Sequence, residues 1–229
     1  WKGQVFPVIT DPDNSHDIEI NFDKSSNDLT SILNQNSNNE FLKFLDKNDC
    51  KKAIKSFMPN LEKTIFSTRI EAALELLNHD KHGICIDYGS VWGSLSIGMA
   101  KRGHQVIAVD QKYESLKFLK SRFLEEKLEN IHLVQDDLKE FKFKNIADFA
   151  ILNGAIKLIT QKFKKSKEFQ VSFLRKIYES LNLEGQLLIG IDNKFSYKHL
   201  IEKSSSSTFP FSELNSLLKK AGFLKIEEY

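Results

Sequence analysis

Polar residues recur at the ends of short apolar runs in the second half of this chain, and their types suit one kind of ligand. GICIDYG (residues 83–89) carries Asp87 two positions before Gly89, and Gly93 follows four residues later. QVIAVD (105–110) ends in Asp110, IHLVQDD (131–137) in Asp136 and Asp137, and ADFAILNG (147–154) in Asn153 and Gly154. Glycines at 89 and 93 permit a tight turn and close backbone approach to a ligand, and a helix starting behind them offers free N–H groups. A carboxylate at 110 suits two neighbouring ribose hydroxyls, and one at 136 or 137 suits an exocyclic amino group. Any one of these acids alone reads as an ordinary strand-end or capping residue. Four consecutive runs ending this way point to a nucleoside-containing ligand.

Such residues need a frame that brings the ends of the runs to one rim. The apolar runs alternate with helical stretches: 92–101 with Leu95, Ile97 and Met99, stopped by Gly103; 113–127 with Leu116, Leu119 and Phe123; 169–181 with Phe173, Leu174, Ile177 and Leu181. GQLLIGID (185–192) supplies a fifth strand, 211–221 a helix closed by Gly222, and FLKIEEY (223–229) a last strand. Strands alternating with helices of this length predict a doubly wound, mostly parallel Rossmann-like α/β sheet covered on both faces. Its ligand crevice is expected outside the carboxyl ends of the strands, beside the first one. Residues 11–40 differ: they are crowded with Asn, Asp and Ser and end in NQNSNNE (34–40), so an irregular surface arm is expected. Phe41, Leu42, Phe44 and Leu45 then share a helical face, and Thr68 with Glu71 forms a capping box before Ile70, Ala73, Leu74 and Leu77. The predicted division is an N-terminal arm or lid with helices over residues 1–66 and the ligand-binding domain over 67–229.

Composition narrows the function classes. The 229 residues carry 33 Lys+Arg against 31 Asp+Glu, a net charge of +2, which argues against a nucleic-acid partner. The lysines at 162, 164, 165 and 167 read as a solvated helix start. No window approaches the roughly 18 apolar residues of a membrane span. Two cysteines, Cys50 and Cys85, make no disulfide framework, so a reducing, cytoplasmic setting is expected. Without an initiating Met, the chain is expected to begin inside a longer one. His79 and His82 have no cysteine or carboxylate cluster beside them, and no metal site is predicted. A serine nucleophile elbow and a phosphate-loop lysine are both missing. A dinucleotide site needs G-x-G-x-x-G, whereas here the spacing is G-x-x-x-G, with Val91 where a middle glycine would sit. Asp87 would repel a pyrophosphate but attract an ammonium group. The ligand that joins adenosine to an amino acid is S-adenosylmethionine. Trp92 at the turn packs either on that ligand or into the core.

From about residue 78 onward the chain resembles the class I S-adenosylmethionine-dependent methyltransferases. The resemblance is carried by IDYGSVWGSLSIGMAKRG (86–103), VIAVD (106–110) and LVQDDLKEF (133–141). ILNGAIKLI (151–159), FQVSFLRKIYESL (169–181) and GQLLIGIDNKFSYKHL (185–200) further resemble a bacterial subgroup associated with surface-polysaccharide and lipopolysaccharide gene clusters. The resemblance implies that Asp87, Gly89 and Gly93 line the methionine end of the cofactor, and that Asp110 holds the ribose. It implies Asp137 and the Leu138 backbone at adenine, and Asn153 with Gly154 beside the methyl group. Asp192, Asn193 and Lys194 stand where the subgroup has Glu-Asn-Arg and would face the acceptor. Val91 for the usual middle glycine, Lys194 for Arg, a short segment holding Ser204 to Ser207, and a sheet with one final strand where the superfamily has a hairpin are departures.

The implied reaction is direct in-line methyl transfer to a small-molecule or sugar-containing acceptor, with alignment as the main contribution of the protein. A general base is needed only for a hydroxyl acceptor, and His199 is the best-placed histidine for it; Asn153 is the other catalytic candidate. The alternative is a catalytically weak or inactive cofactor-binding domain that serves as a partner or regulatory subunit. Val91 and the short sheet favour that alternative, while the acids at 87, 110 and 137 oppose it. An Asn-Pro-Pro-Tyr type of segment, expected for base methylation, does not follow the fourth strand.

Overall fold

The structure is a computed structural model and describes residues 9–10, 17–18, 40–67, 70–136, 143–153, 167–190 and 211–227. Two short strands, β1 (Ile9–Thr10) and β2 (Asp17–Ile18), pair antiparallel. Helices α1 (Glu40–Leu45), α2 (Cys50–Phe57) and α3 (Glu62–Ile65) follow. The main sheet contains β3 (Ile84–Tyr88), β4 (Gln105–Asp110), β5 (Ile131–Gln135), β6 (Ala147–Asn153) and β7 (Leu181–Gly190). Its helices are α4 (Ser94–Lys101), α5 (Tyr113–Glu125), α6 (Lys167–Ser180) and α7 (Phe211–Ala221).

All pairings in this five-stranded sheet are parallel, in the order β5-β4-β3-β6-β7. The chain winds outward from β3 through β4 to β5, then crosses to β6 on the other side of β3. That reversal opens the crevice at the carboxyl ends of β3 and β6. The fold is thus the doubly wound, Rossmann-like sheet that the alternating runs imply.

Strand periodicity divides the core between two faces. Ile86, Tyr88, Ile107, Val109, Ala150 and Leu152 turn toward the buried residues of α6 and α7, such as Phe173, Ile177 and Leu217. Cys85, Val106, Ala108, Phe149 and Ile151 turn to the other face, against Leu95, Ile97 and Met99 of α4 and Leu119 of α5. Asp87 shares the parity of Cys85, so its carboxyl belongs to the α4 side. A third cluster joins Phe41, Leu45, Ile54 and Ile65 of the N-terminal helices to Phe118 of α5.

Three expectations need correction. Residues 223–227 form no strand, and the described sheet ends at β7. Phe223 and Ile226, three apart, pack back on the α6–α7 core while Leu224 is 94% exposed, which is not the period-two burial of a strand. The segment after Thr68 is a 3-10 helix (Glu71–Leu76) rather than an α-helix. Its bonds run Ala73 N to Ile70 O and Leu77 N to Leu74 O, and buried Leu74 and Leu77 lie three apart, as a three-residue turn requires. Thr68, the first residue of the predicted capping box, lies outside the described residues. The fifth strand starts at Leu181, directly after α6, and not at 185. A register shift opposite Ala147 and Phe149, with Glu184 at φ +67°, takes up the extra residues.

Gly222 closes α7 as the sequence predicts: Phe223 N bonds Leu218 O at 3.1 Å and Gly222 N bonds Lys219 O at 3.2 Å, a Schellman pair. Gly103 ends α4 with the same two-bond pattern, through His104 N to Met99 O and Gly103 N to Ala100 O.

Candidate functional site

The turn from β3 to α4 has an unusual backbone. Gly89, Val91 and Gly93 all have positive φ, at +76°, +48° and +73°. The turn is hooked to the neighbouring strand by Gly89 N and Ser90 N, both donating to Val109 O, and closed by Gly93 N donating to Ser90 O at 2.8 Å. Gly93 caps α4, and the nearest atom to a Cβ placed on it would be a methyl of Leu119 at 2.1 Å. Its glycine is therefore demanded by conformation and by the packing of α5, as well as by any ligand. Val91 adopts the left-handed backbone that a middle glycine would favour, although branching at Cβ opposes it.

Asp110, at the end of β4, helps hold that conformation. Its Oδ2 accepts from Val91 N at 2.9 Å and its Oδ1 from Lys112 N at 2.8 Å. Each oxygen keeps a second lone pair that can accept from a hydroxyl.

Asp87 is 2% exposed, and Ser96 Oγ on α4 donates to its Oδ2 at 2.6 Å. Burial, opposed by the Ser96 hydrogen bonds and assisted by the charge of Asp110, pushes the carboxyl from 3.8 up to about 6. A carboxyl in this state gains from a cation placed against it. It lies on a cavity of about 200 Å³ that Gly89, Ser90, Gly93 and Asn153 also line. Pockets that enclose a whole small ligand run to about 300–1,000 Å³, so this cavity has room for one end of a cofactor-sized molecule.

The structure thus brings Asp87, Gly89, Gly93 and Asn153 together around one cavity and sets Asp110 behind its turn. Asn153 is exposed at the end of β6, and a Cβ on Gly190 of the adjacent strand would meet its Oδ1 at 2.2 Å. Trp92 packs into the core, edge-on against Phe118 at 5.2 Å, and also lines the cavity. Asp137, Leu138, Gly154, Asp192, Asn193, Lys194 and His199 lie outside the described residues, as does most of the N-terminal arm.

Sequence reasoning missed several participants. Thr64, Ile65 and Ile70, from the helical segment before β3, form another wall of the cavity. Nothing in their local pattern separates them from ordinary helix residues. Ser96, a buried hydroxyl nine residues after Asp87, left only a faint signal, as did Arg122, a buried cation on α5. Ser90 Oγ is buried and has no hydrogen-bond partner among the described residues.

At the opposite rim His79 and His104 form a pair. His104 Nδ1 accepts from Gly83 N, its Nε2 faces His79 Nδ1 at 2.9 Å, and His79 Nε2 faces Leu74 O at 2.7 Å. These contacts make a structural chain, and burial keeps His104 below the usual imidazole range. Among the described residues no helix is long and apolar enough to cross a membrane.

The model of the methyltransferase small domain matches residues 66–223. No curated protein sequence matches the chain. Among solved structures, the chain is similar to an S-adenosylmethionine-dependent methyltransferase of Aquifex aeolicus, at 15% identity and TM-score 0.56, over 72% of this chain and 87% of that one. It is also similar to phosphoethanolamine N-methyltransferase 2 of Haemonchus contortus, at 22% identity and TM-score 0.58, over 82% of this chain and 45% of that one. A candidate S-adenosylmethionine-dependent methyltransferase of Methanococcus maripaludis is 27% identical at TM-score 0.48, over 61% of this chain. The chain spans less than two thirds of the length of the Methanococcus and Haemonchus chains, 63% and 45%.

Proposed function

The chain belongs to the methyltransferase small-domain family, and on that premise we propose that it transfers a methyl group from S-adenosylmethionine to a small-molecule or sugar-containing acceptor. The observation that carries this reading is Asp87: a buried carboxyl on a cavity at the switch point of the sheet, beside the start of a helix. The cofactor combines an ammonium, a carboxylate and an adenosine, and the residues present fit it. Asp87 takes the ammonium. The first N–H groups of α4 and the Ser90 hydroxyl, which has no partner among the described residues, suit the carboxylate. Asp110 keeps lone pairs for the ribose, and Asp137 with the Leu138 backbone is assigned to adenine by resemblance.

S-adenosylmethionine supplies an electrophilic methyl group on a sulfonium. The work of this chain is to bind, orient and exclude water, so that an acceptor lone pair lines up behind the methyl–sulfur bond. Asn153, on the cavity at the end of β6, is placed to orient the reacting groups. His199 is the proposed base for a hydroxyl acceptor, and Asp192, Asn193 and Lys194 the proposed acceptor contacts, with a polysaccharide-type acceptor suggested by the subgroup resemblance. The proposed division is a lid over residues 1–66 and a cofactor domain over 67–229, in a cytoplasmic protein. Thr64 and Ile65 on the cavity wall support the lid.

The test is calorimetric titration of the chain with S-adenosylmethionine and S-adenosylhomocysteine, with Asp110→Ala as control. Micromolar binding that the substitution weakens at least tenfold supports the reading. No binding by the unmutated chain overturns it and leaves a non-catalytic, partner-binding role.

A further inference from the structure

Arg122 on α5 is 6% exposed, yet its hydrogen bonds go to uncharged acceptors. Its Nη1 donates to Trp92 O at 2.8 Å and lies 3.4 Å from Ser94 Oγ, and the guanidinium stacks over the Phe66 ring at 5.0 Å. Among the described residues no carboxylate comes within ion-pair distance of it; Glu71, Glu125 and Glu126 act on it only through space. A buried cation whose hydrogen bonds all go to neutral groups carries a desolvation cost that an anion closer than these glutamates would further offset.

Two further observations locate that anion. Arg122 reaches the last carbonyl before Gly93 and the first side chain of α4, so its charge sits behind the amino end of that helix. In the same turn Ser90 Oγ is buried with no partner among the described residues. Leu119, one helical turn before Arg122, presses on Gly93, so the turn and α5 are a single packed unit.

We infer that Arg122 is a positioning residue for the cofactor: it fixes the Trp92–Ser94 corner and supplies, from behind it, the positive charge that complements the carboxylate of the amino-acid end. This rests on the reading of the cavity as an S-adenosylmethionine site. Arg122 touches no reacting atom; it acts through the turn and through its field. The second effect is specific to one end of the ligand, which a purely structural role is not.

The experiment compares S-adenosylhomocysteine with 5′-methylthioadenosine, which keeps the adenosine and sulfur but has no amino-acid group. Affinities are measured calorimetrically for the unmutated chain, Arg122→Gln and Arg122→Lys. Glutamine keeps a donor for Trp92 O without the charge, and lysine keeps the charge without the planar fork. Arg122→Gln is expected to weaken S-adenosylhomocysteine about 10- to 50-fold, the effect of removing one buried charge from behind the turn. It should leave 5′-methylthioadenosine within about twofold, and Arg122→Lys should recover most of the loss. Equal weakening of both ligands, or no weakening of either, overturns the inference. Should Arg122→Gln fail to fold, Arg122→Lys decides: its binding of S-adenosylhomocysteine must stay near that of the unmutated chain. An unmutated chain that binds neither ligand refutes the cofactor reading itself, and the role of Arg122 falls with it.

Discussion

Asp87→Asn separates what Asp87 does for the fold from what it does for the ligand. The side chain is 2% exposed, and its carboxyl is raised from 3.8 to about 6, chiefly by burial. At about 1.4 kcal/mol per pH unit, that shift corresponds to about 3 kcal/mol. The sign follows from linkage. Between these two values the folded state holds a proton that the unfolded state has released, so stability falls as pH rises through the window. The contribution is fully present below 3.8 and lost above about 6. Asparagine cannot ionise, so the stability difference between variant and unmutated chain must move in favour of the variant by about 2.4 kcal/mol between about pH 4 and about pH 7. Urea unfolding at both pH values measures it. With a slope of about 2–3 kcal/mol/M, the midpoint of the variant gains about 1 M on that of the unmutated chain. Comparing the pair at each pH cancels the other acids. Binding moves the other way: with no carboxylate for the ammonium, affinity for S-adenosylhomocysteine should fall at least ~30-fold. In the unmutated chain, affinity should decline as pH drops below about 6, where Asp87 takes up its proton. A stability difference independent of pH would refute the argument from burial. Undiminished ligand binding by the variant would refute the assignment to the ammonium.

Two other substitutions probe the turn. Val91→Gly removes a branched side chain that is 38% exposed from a left-handed backbone, at φ +48°. It should stabilise the protein by about 1 kcal/mol, read as a higher thermal midpoint, without weakening cofactor binding; a loss of stability would mean that the valine side chain matters more than its backbone. Gly93→Ala places a Cβ 2.1 Å from a Leu119 methyl at φ +73°. It should destabilise by about 2–4 kcal/mol in urea unfolding, and Leu119→Ala in the same chain should relieve the contact but not the backbone strain; full additivity in that double-mutant cycle would contradict the packing account.

Much of this protein is legible along the chain. Short continuous apolar runs and three-four helical spacing are local signals, so β3 to β6, α4 to α7 and a sheet covered on both faces follow from them. The acids and amide at the strand ends follow too, since parallel winding places every carboxyl end on one rim. The glycine that closes α7 is equally local: the left-handed residue after the helix needs no neighbour to define it. Tail residues 223–227 show where this reasoning fails. Their composition suits a strand, but no partner strand faces them among the described residues, and Phe223 and Ile226 gain more by covering α6 and α7. Pairing is a property of two segments, and one segment alone does not encode it.

The site divides in the same way. The placement of Asp87, Gly89, Gly93 and Asn153 on one cavity, with Asp110 at its turn, was readable because each belongs to a residue type and spacing tied to its own strand. Only the tertiary structure decided that Thr64 and Ile65 wall the cavity, that Gly93 is glycine partly for the sake of Leu119, and that Asp110 secures the turn through Val91 N. Burial itself belongs to this second class. The sheet and α4 together remove Asp87 from water and raise its pKa, while α5 brings the charge of Arg122 to the turn. Residue type tells which groups can ionise, but the desolvation and fields that set their charge are sums over everything the fold brings within a few ångströms.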